Sequence, residues 1–86
     1  MTTLKQIMTA RVCYTALVYN RINKKLGLHG SNEQIENLIA DILKETDEKL
    51  ILRKGKNYYI SNAERNIRLT INSNTFRVIT ADKLKK

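Results

Sequence analysis

The spacing of apolar residues changes near the middle of the chain, at Thr46. Before Thr46 apolar residues recur every three or four positions, and after it they recur about every second position. The first spacing is typical of amphipathic helices and the second of half-buried strands. The sequence therefore predicts N-terminal helices followed by a sheet.

Residues 3–26 are predicted to form one long helix. Thr3 and Gln6 have the spacing of a capping box at its start, and Gly27 suits the left-handed position that ends a helix. One apolar stripe consists of Leu4, Met8, Val12, Thr15, Tyr19, Ile22 and Leu26. The opposite side carries Ala10, Cys13 and Leu17. A helix that is apolar on two sides is expected to pack on both, so a homodimer through helix 3–26 is one expectation.

Residues 31–46 are predicted to form a second helix. Ser31 and Gln34 have capping-box spacing, and the loop from Gly27 to Gly30 is short. The apolar stripe consists of Ile35, Leu38, Ile39 and Ile42. Acidic residues occupy the remaining face, which is therefore expected to lie in solvent.

Four strands are predicted at about 50–53, 57–61, 67–72 and 75–80, followed by a basic tail at 81–86. Lys54-Gly55-Lys56 is a candidate for the first hairpin turn. If Ser73-Asn74 is a two-residue turn, Ile71 lies opposite Phe76 and Leu69 opposite Val78. The order ααββββ predicts a single α+β domain over residues 1–86, with two helices on one face of a four-stranded antiparallel sheet.

Length and composition limit the class of protein. The chain has 86 residues, 42% of them hydrophobic, with one cysteine and no proline. Neither a membrane-spanning apolar run nor an N-terminal signal segment is apparent. A single cysteine allows no internal disulfide, which favours a cytoplasmic protein.

Charge is distributed unevenly along the chain, whose formal net charge is +8. Residues 1–30 carry five basic and no acidic residues, and residues 31–50 carry two basic and six acidic residues. Residues 51–86 carry nine basic and two acidic residues. The second helix is thus acidic, whereas the first helix and the sheet are basic. This polarity predicts a polyanionic or acidic partner on the sheet side.

The predicted sheet offers one candidate binding surface. Arg68 and Arg77 are expected on adjacent strands of its uncovered face, and one of the consecutive Tyr58 and Tyr59 must face the same way. Arginine pairs with phosphates and aromatic rings stack on bases. The candidate residues for nucleic-acid or partner binding are Arg53, Lys54, Lys56, Tyr58, Tyr59, Arg68 and Arg77.

One side of the predicted first helix offers a second candidate surface. Its residues are Arg11, Tyr14, Val18, Arg21 and Lys25.

Catalytic chemistry has little support, because His29 and Cys13 alone form neither a metal site nor a nucleophilic dyad. Neither a glycine-rich phosphate loop nor a nucleophile elbow is present, so we expect no enzymatic activity and no cofactor.

Three segments resemble a family of small bacterial proteins of unknown function, mostly from low-GC Gram-positive bacteria and their mobile elements. They are VCYTALVYNRINKKLG (12–27), KGKNYYI (54–60) and NIRLTINSNTFRVI (66–79). The resemblance implies a bacterial or mobile-element origin and assigns no catalytic residue. Small proteins of such elements often act by binding, including as inhibitors of host defence nucleases such as those of CRISPR systems.

Two functions are therefore expected from the sequence. The first is a non-enzymatic protein that contacts nucleic acid through its basic sheet face. The second is an inhibitor or adaptor that binds an acidic or nucleic-acid-binding host protein, in the manner of an anti-CRISPR protein.

Overall fold

All helices precede the first strand in the computed structural model, which describes residues 3–84. The α-helices are α1 (Leu4–Arg11), α2 (Ala16–Leu26) and α3 (Asn32–Glu45), and a short 3₁₀ helix covers Glu48–Leu50. The strands are β1 (Ile51–Lys54), β2 (Asn57–Asn62), β3 (Ile67–Asn72) and β4 (Val78–Lys83). The predicted α+β class is confirmed, but with three α-helices in place of two.

The predicted helix over 3–26 is wrong, because the chain leaves helical geometry between α1 and α2. Val12 has φ −59° and ψ 136°, and Thr15 is the extended residue before α2. The linker between them forms a parallel bridge to the start of β4. The Cys13 N–H donates to the Phe76 carbonyl at 2.9 Å, and the Cys13 carbonyl accepts from the Val78 N–H at 2.9 Å.

The break explains why the apolar stripe of the first thirty residues is misleading. Val12, Cys13 and Thr15 are all weak helix formers, so two backbone hydrogen bonds to the sheet outweigh a continuous helix here. On α2 the buried residues are Val18, Ile22 and Leu26, at a spacing of four. Tyr19, which the predicted stripe places in the core, is only partly buried.

The four strands form one antiparallel sheet in the order β1-β2-β3-β4. Helix α2 packs along β4, and α3 contacts α1, α2 and β2. The fully buried side chains come from both layers, and include Met8, Ile22, Ile35, Ile39, Ile42, Leu43, Ile60, Leu69 and Ile71. All of this apolar packing lies between the helices and one face of the sheet.

The predicted connection between the last two strands is also wrong. The strand expected at 75–80 is β4 at Val78–Lys83, and a bulge between Thr70 and Ile71 sets Ile71 opposite Val78 and Leu69 opposite Ala81. The loop is longer than two residues because the Asn72 side-chain oxygen accepts the N–H groups of Asn74 and Thr75, at 2.8 and 2.9 Å.

Phe76 completes this loop in the left-handed region, with φ 57°. Such a conformation is unusual for a bulky residue. It turns the ring into the core, where the side chain is 8% exposed. The predicted core face of this hairpin is therefore retained with a different register.

The remaining boundaries need smaller corrections. The predicted helix 31–46 matches α3 and its capping residues Ser31 and Thr46. Part of the tail predicted at 81–86 belongs to β4, because that strand continues to Lys83. Lys85 and Lys86 lie outside the described residues. Within 3–84, none of the helices combines the length and apolarity that a bilayer crossing requires.

A buried polar contact joins the end of α3 to β2. The Asn62 amide donates to Thr46 Oγ1 at 3.1 Å, and its side-chain oxygen accepts from the Arg65 N–H at 2.9 Å. Asn62 is 4% exposed and Thr46 is 3% exposed. The Thr46 hydroxyl itself donates to the Ile42 carbonyl at 2.6 Å.

We expect the substitution Asn62→Ala to lower the free energy of unfolding by about 1–3 kcal/mol, because it removes both hydrogen bonds and leaves buried groups unpaired. Urea unfolding followed by circular dichroism measures the change. Asn57→Ala is the matched control on the other face of the same strand and should change stability by less than about 0.5 kcal/mol. Equal losses in the two variants would contradict the buried contact.

Candidate nucleic-acid interface

The face of the sheet opposite the helices carries its own set of side chains. Ile60, Leu69 and Ala81 are fully buried and lie opposite one another, so the alternate positions project to the other side. The register pairs Leu52 with Tyr59, Tyr59 with Thr70, and Ser61 with Arg68. We call Leu52, Lys54, Tyr59, Ser61 and Arg68 the open sheet face. Thr70 lies on the same side but is buried, with 5% of its surface exposed.

The structure assigns the two consecutive tyrosines to opposite sides. Tyr58 packs against the core and its ring lies 6.3 Å from that of Phe76. Tyr59 belongs to the open sheet face, where the Arg68 guanidinium carbon lies 5.7 Å from its ring centroid. The open sheet face thus carries one aromatic ring, with a cation over it.

A shallow depression of about 510 Å³ lies around this ring. Its lining comes from three neighbouring strands and the first turn, and consists of Leu52, Lys54, Gly55, Tyr59, Ser61 and Arg68. Leu52 is 65% exposed and contributes apolar surface to the depression. The depression therefore combines an apolar wall, an aromatic ring and two cations.

The charge of Arg68 is not neutralised by a neighbouring carboxylate. Asp82 lies opposite Arg68 in the register, but its ion pair is with Lys25, at 3.2 Å. Among residues 3–84, neither Arg68 nor Arg77 forms an ion pair. The positive charge expected on this side of the sheet is therefore available to a ligand.

The acidic helix has a cationic partner of its own. Arg65, in the turn after β2, binds Glu45 through two nitrogens at 2.8 Å each. A further oxygen, from Asp41, lies 3.9 Å from the same guanidinium. The hydrogen bond from Arg65 lowers the pKa of Glu45 and raises that of Arg65. Among residues 3–84, the cation that pairs with the carboxylates of α3 is therefore Arg65, and not a basic residue of β3 or β4.

The first hairpin turn brings the other basic residues to one end of the sheet. Gly55 has φ 63°, as the first central residue of a type II′ turn requires, and Lys56 follows it. The Lys56 carbonyl accepts from the Ser73 N–H at 2.8 Å, which links this turn to the β3–β4 loop. Arg77 is the last residue of that loop and lies opposite Asn72. The Asn72 N–H donates to the Arg77 carbonyl at 2.9 Å. Lys54, Lys56 and Arg77 thus share the turn end of the sheet.

Two of the predicted positions differ from expectation. Arg53 pairs with Tyr58 and therefore lies on the helix side of the edge strand, not on the open sheet face. Arg77 precedes β4 and does not project from its interior beside Arg68. Arg11, from the second candidate surface, lies near the same end, with its guanidinium carbon 5.3 Å from the Phe76 ring centroid.

The second candidate surface does not form as predicted, because its residues span the break between α1 and α2. Val18 is buried in the core, and Lys25 is paired with Asp82. Arg21 is exposed on α2, whereas Arg11 is the last residue of α1. Ala10, Cys13 and Leu17 are exposed but do not share a face of one helix, so the homodimer surface expected on helix 3–26 is not continuous either.

Tyr14 is held in an internal contact. Its ring stacks on that of Tyr19 with centroids 5.7 Å apart, and the Tyr19 hydroxyl donates to Glu36 at 2.6 Å. Burial raises the pKa of Tyr14 to about 12, and the Glu36 carboxylate acts in the same direction. The hydrogen bond to Glu36 also raises the pKa of Tyr19. The Tyr19–Glu36 hydrogen bond joins α2 to α3, and Tyr14 stacks on Tyr19 from the α1–α2 linker.

The structure adds Leu52 to the residues that the sequence indicates. A two-residue turn at Gly55-Lys56 pairs Leu52 with Tyr59, so the position follows from the sequence once that turn is fixed.

His29 is exposed in the loop before α3, and Cys13 is exposed in the α1–α2 linker. In the described part of the chain, no three His, Cys, Asp or Glu side chains come close enough together to hold a metal ion.

The raised pKa of Tyr14 predicts a pH dependence of stability. Folding favours the neutral phenol, so this stabilisation is complete below pH 10, the ordinary pKa, and is lost as the pH rises towards about 12. We expect Tyr14→Phe to remove the highest-pH step from the absorbance titration of tyrosinate and to reduce the loss of stability above pH 10. Tyr59→Phe is the control and should keep that step. Identical titrations of Tyr14→Phe and wild type would contradict the burial of Tyr14.

Comparison with known proteins assigns the chain to a family without assigning a function. No curated protein and no solved structure shows significant similarity to it. The family model described as "Protein of unknown function (DUF3781)" matches residues 6–82, which extend from α1 into β4. Because this match covers nearly the whole chain, the protein belongs to the DUF3781 family.

Proposed function

We propose that this protein binds nucleic acid through the open sheet face and the turn end of the sheet, without catalysing a reaction. The observation that carries the proposal is Arg68, which lies over the Tyr59 ring in an open depression and forms no ion pair among residues 3–84. Guanidinium groups bind phosphates, and aromatic rings stack on bases. Both groups lie on the sheet face that is not covered by helices.

The distribution of charge supports the same orientation. Lys54, Lys56, Arg68 and Arg77 lie on the open sheet face or at its turn end. The acidic residues of α3 belong to the opposite layer, where Arg65 binds two of them. A polyanion is therefore attracted more strongly to the open sheet face and its turn end than to α3.

The proposal predicts a charge-dependent loss of binding in the double variant Lys54→Ala/Arg68→Ala. Fluorescence anisotropy with labelled single-stranded and duplex oligonucleotides, at several salt concentrations, measures the dissociation constants. Loss of two phosphate contacts should reduce the slope of log K against log salt by about 1.4 on single strands and about 1.8 on duplex DNA. The variant should also bind more weakly at low salt.

The matched control is Lys44→Ala, which removes one positive charge from the acidic helix α3. It should bind about as tightly as the wild type, because it leaves the open sheet face unchanged. Absence of binding to any single-stranded or duplex DNA or RNA at low salt would contradict the proposal. So would equal losses in the control and the double variant.

The exposure of Leu17 favours a protein partner as a second candidate function. This residue is 75% exposed and lies on α2, in the helical layer. A large apolar side chain in that position suits a docking contact with a host protein or with a second copy of the chain. Such a complex should be weakened by Leu17→Lys and unaffected by Lys54→Ala/Arg68→Ala, as measured by light scattering or by capture after nuclease treatment.

A further inference from the structure

We propose that the open sheet face selects single-stranded nucleic acid and seats one unpaired base on the Tyr59 ring, between Leu52 and Arg68. This inference rests on the proposed function and makes it more specific. Three features of the open sheet face support it: the accessibility of the Tyr59 ring to a base, the width of the four-stranded sheet and the positions of the basic residues.

The Tyr59 side chain lines the depression. The Arg68 guanidinium, itself planar, lies over that ring with its carbon 5.7 Å from the centroid. Arg68 is exposed and, among residues 3–84, has no carboxylate partner to hold it there. A base can therefore replace the guanidinium over the ring, and the guanidinium can then bind a phosphate.

Leu52 lies directly across the strand pair from Tyr59 and forms the apolar wall of this position. A nucleobase has an apolar planar surface with polar groups only at its edges. The exposed Leu52 side chain can cover part of that surface, while Ser61 provides a hydroxyl at the rim of the same depression. These contacts require a base that is not stacked between its neighbours.

The width of the sheet argues against a duplex as the preferred ligand. Four antiparallel strands, about 4.8 Å apart, span about 14 Å between the axes of the first and last. The major groove of B-DNA is about 12 Å wide and admits an α-helix or a two-stranded ribbon. The open sheet face is thus too broad to enter the groove, and duplex bases cannot reach Tyr59 without leaving the stack.

The cations lie where the backbone of such a strand has to pass. Lys54 follows Leu52 by two residues on β1, about 7 Å further towards the turn. Lys56 lies in that turn, and its hydrogen bond to Ser73 brings it beside the loop that ends at Arg77. A strand with one base on Tyr59 can therefore place its phosphates near Arg68 on one side of the base and near Lys54 and Lys56 on the other.

The test separates stacking on Tyr59 from charge neutralisation by Arg68. Tyr59→Ile keeps a β-branched residue suited to a strand but removes the aromatic ring, and Tyr59→Phe keeps the ring. The probes are a labelled oligothymidylate of about 12 nucleotides and a duplex of the same length. We expect Tyr59→Ile to weaken oligothymidylate binding about 5- to 150-fold with an unchanged salt slope, and Tyr59→Phe to bind like the wild type.

Arg68→Ala should have the opposite signature, a salt slope on the single strand reduced by about 0.7. The chain contains four tyrosines and no tryptophan, so tyrosine emission reports stacking directly. Oligothymidylate should quench it in the wild type, and less in Tyr59→Ile. Thermal unfolding of each variant establishes that the compared proteins are folded.

Three outcomes would overturn the inference, and they are distinguishable. Tighter binding to the duplex than to the single strand, or full affinity of a folded Tyr59→Ile variant, would exclude the base position while leaving nucleic-acid binding in place. Absence of binding by the wild type to both probes, and to single-stranded and duplex RNA of the same length, would remove the proposed function and this inference together.

Discussion

The two backbone hydrogen bonds of Cys13 determine how the helices meet the sheet. They attach the α1–α2 linker to the start of β4, with Cys13 bound to both Phe76 and Val78 at 2.9 Å. A continuous helix would leave no extended segment at Cys13 to form these two hydrogen bonds. With the break, α1 and α2 contribute buried residues to one apolar layer. The chain then has enough apolar surface to cover one face of the sheet and leaves the other uncovered.

The separation of charge follows from this one-sided arrangement. The acidic residues of α3 belong to the helical layer, and Arg65 binds Glu45 and Asp41 there. Lys25 at the end of α2 binds Asp82, the acidic residue opposite Arg68. The internal ion pairs therefore engage carboxylates that would otherwise compete with a ligand for the basic residues. The basic residues of the open sheet face and its turn end are among those that form no ion pair within residues 3–84.

The sequence predicts those parts of the fold that local signals determine. Capping residues place the start of α1 and α3, and Gly27 ends α2 with φ 68°. Periodicity alone cannot reveal the break at Val12–Thr15, because the apolar spacing continues through it and the competing hydrogen bonds come from Phe76 and Val78, more than sixty residues away. The β3–β4 register was beyond prediction for a similar reason. It depends on Asn72 side-chain bonds and a left-handed Phe76, which no periodic pattern encodes.

The candidate site, like the fold, is predicted from the sequence only in part. Strand alternation places Arg68 on the open sheet face, but only the β1–β2 register decides that Tyr59 faces outward and Arg53 does not.

The central claim, that the open sheet face is the binding surface, is tested most directly by amide chemical shifts recorded while an oligonucleotide is added to the labelled protein. The account predicts the largest shifts at Leu52, Tyr59 and Arg68 and small ones along α3. Shifts confined to the helices, or none at any residue, would contradict it.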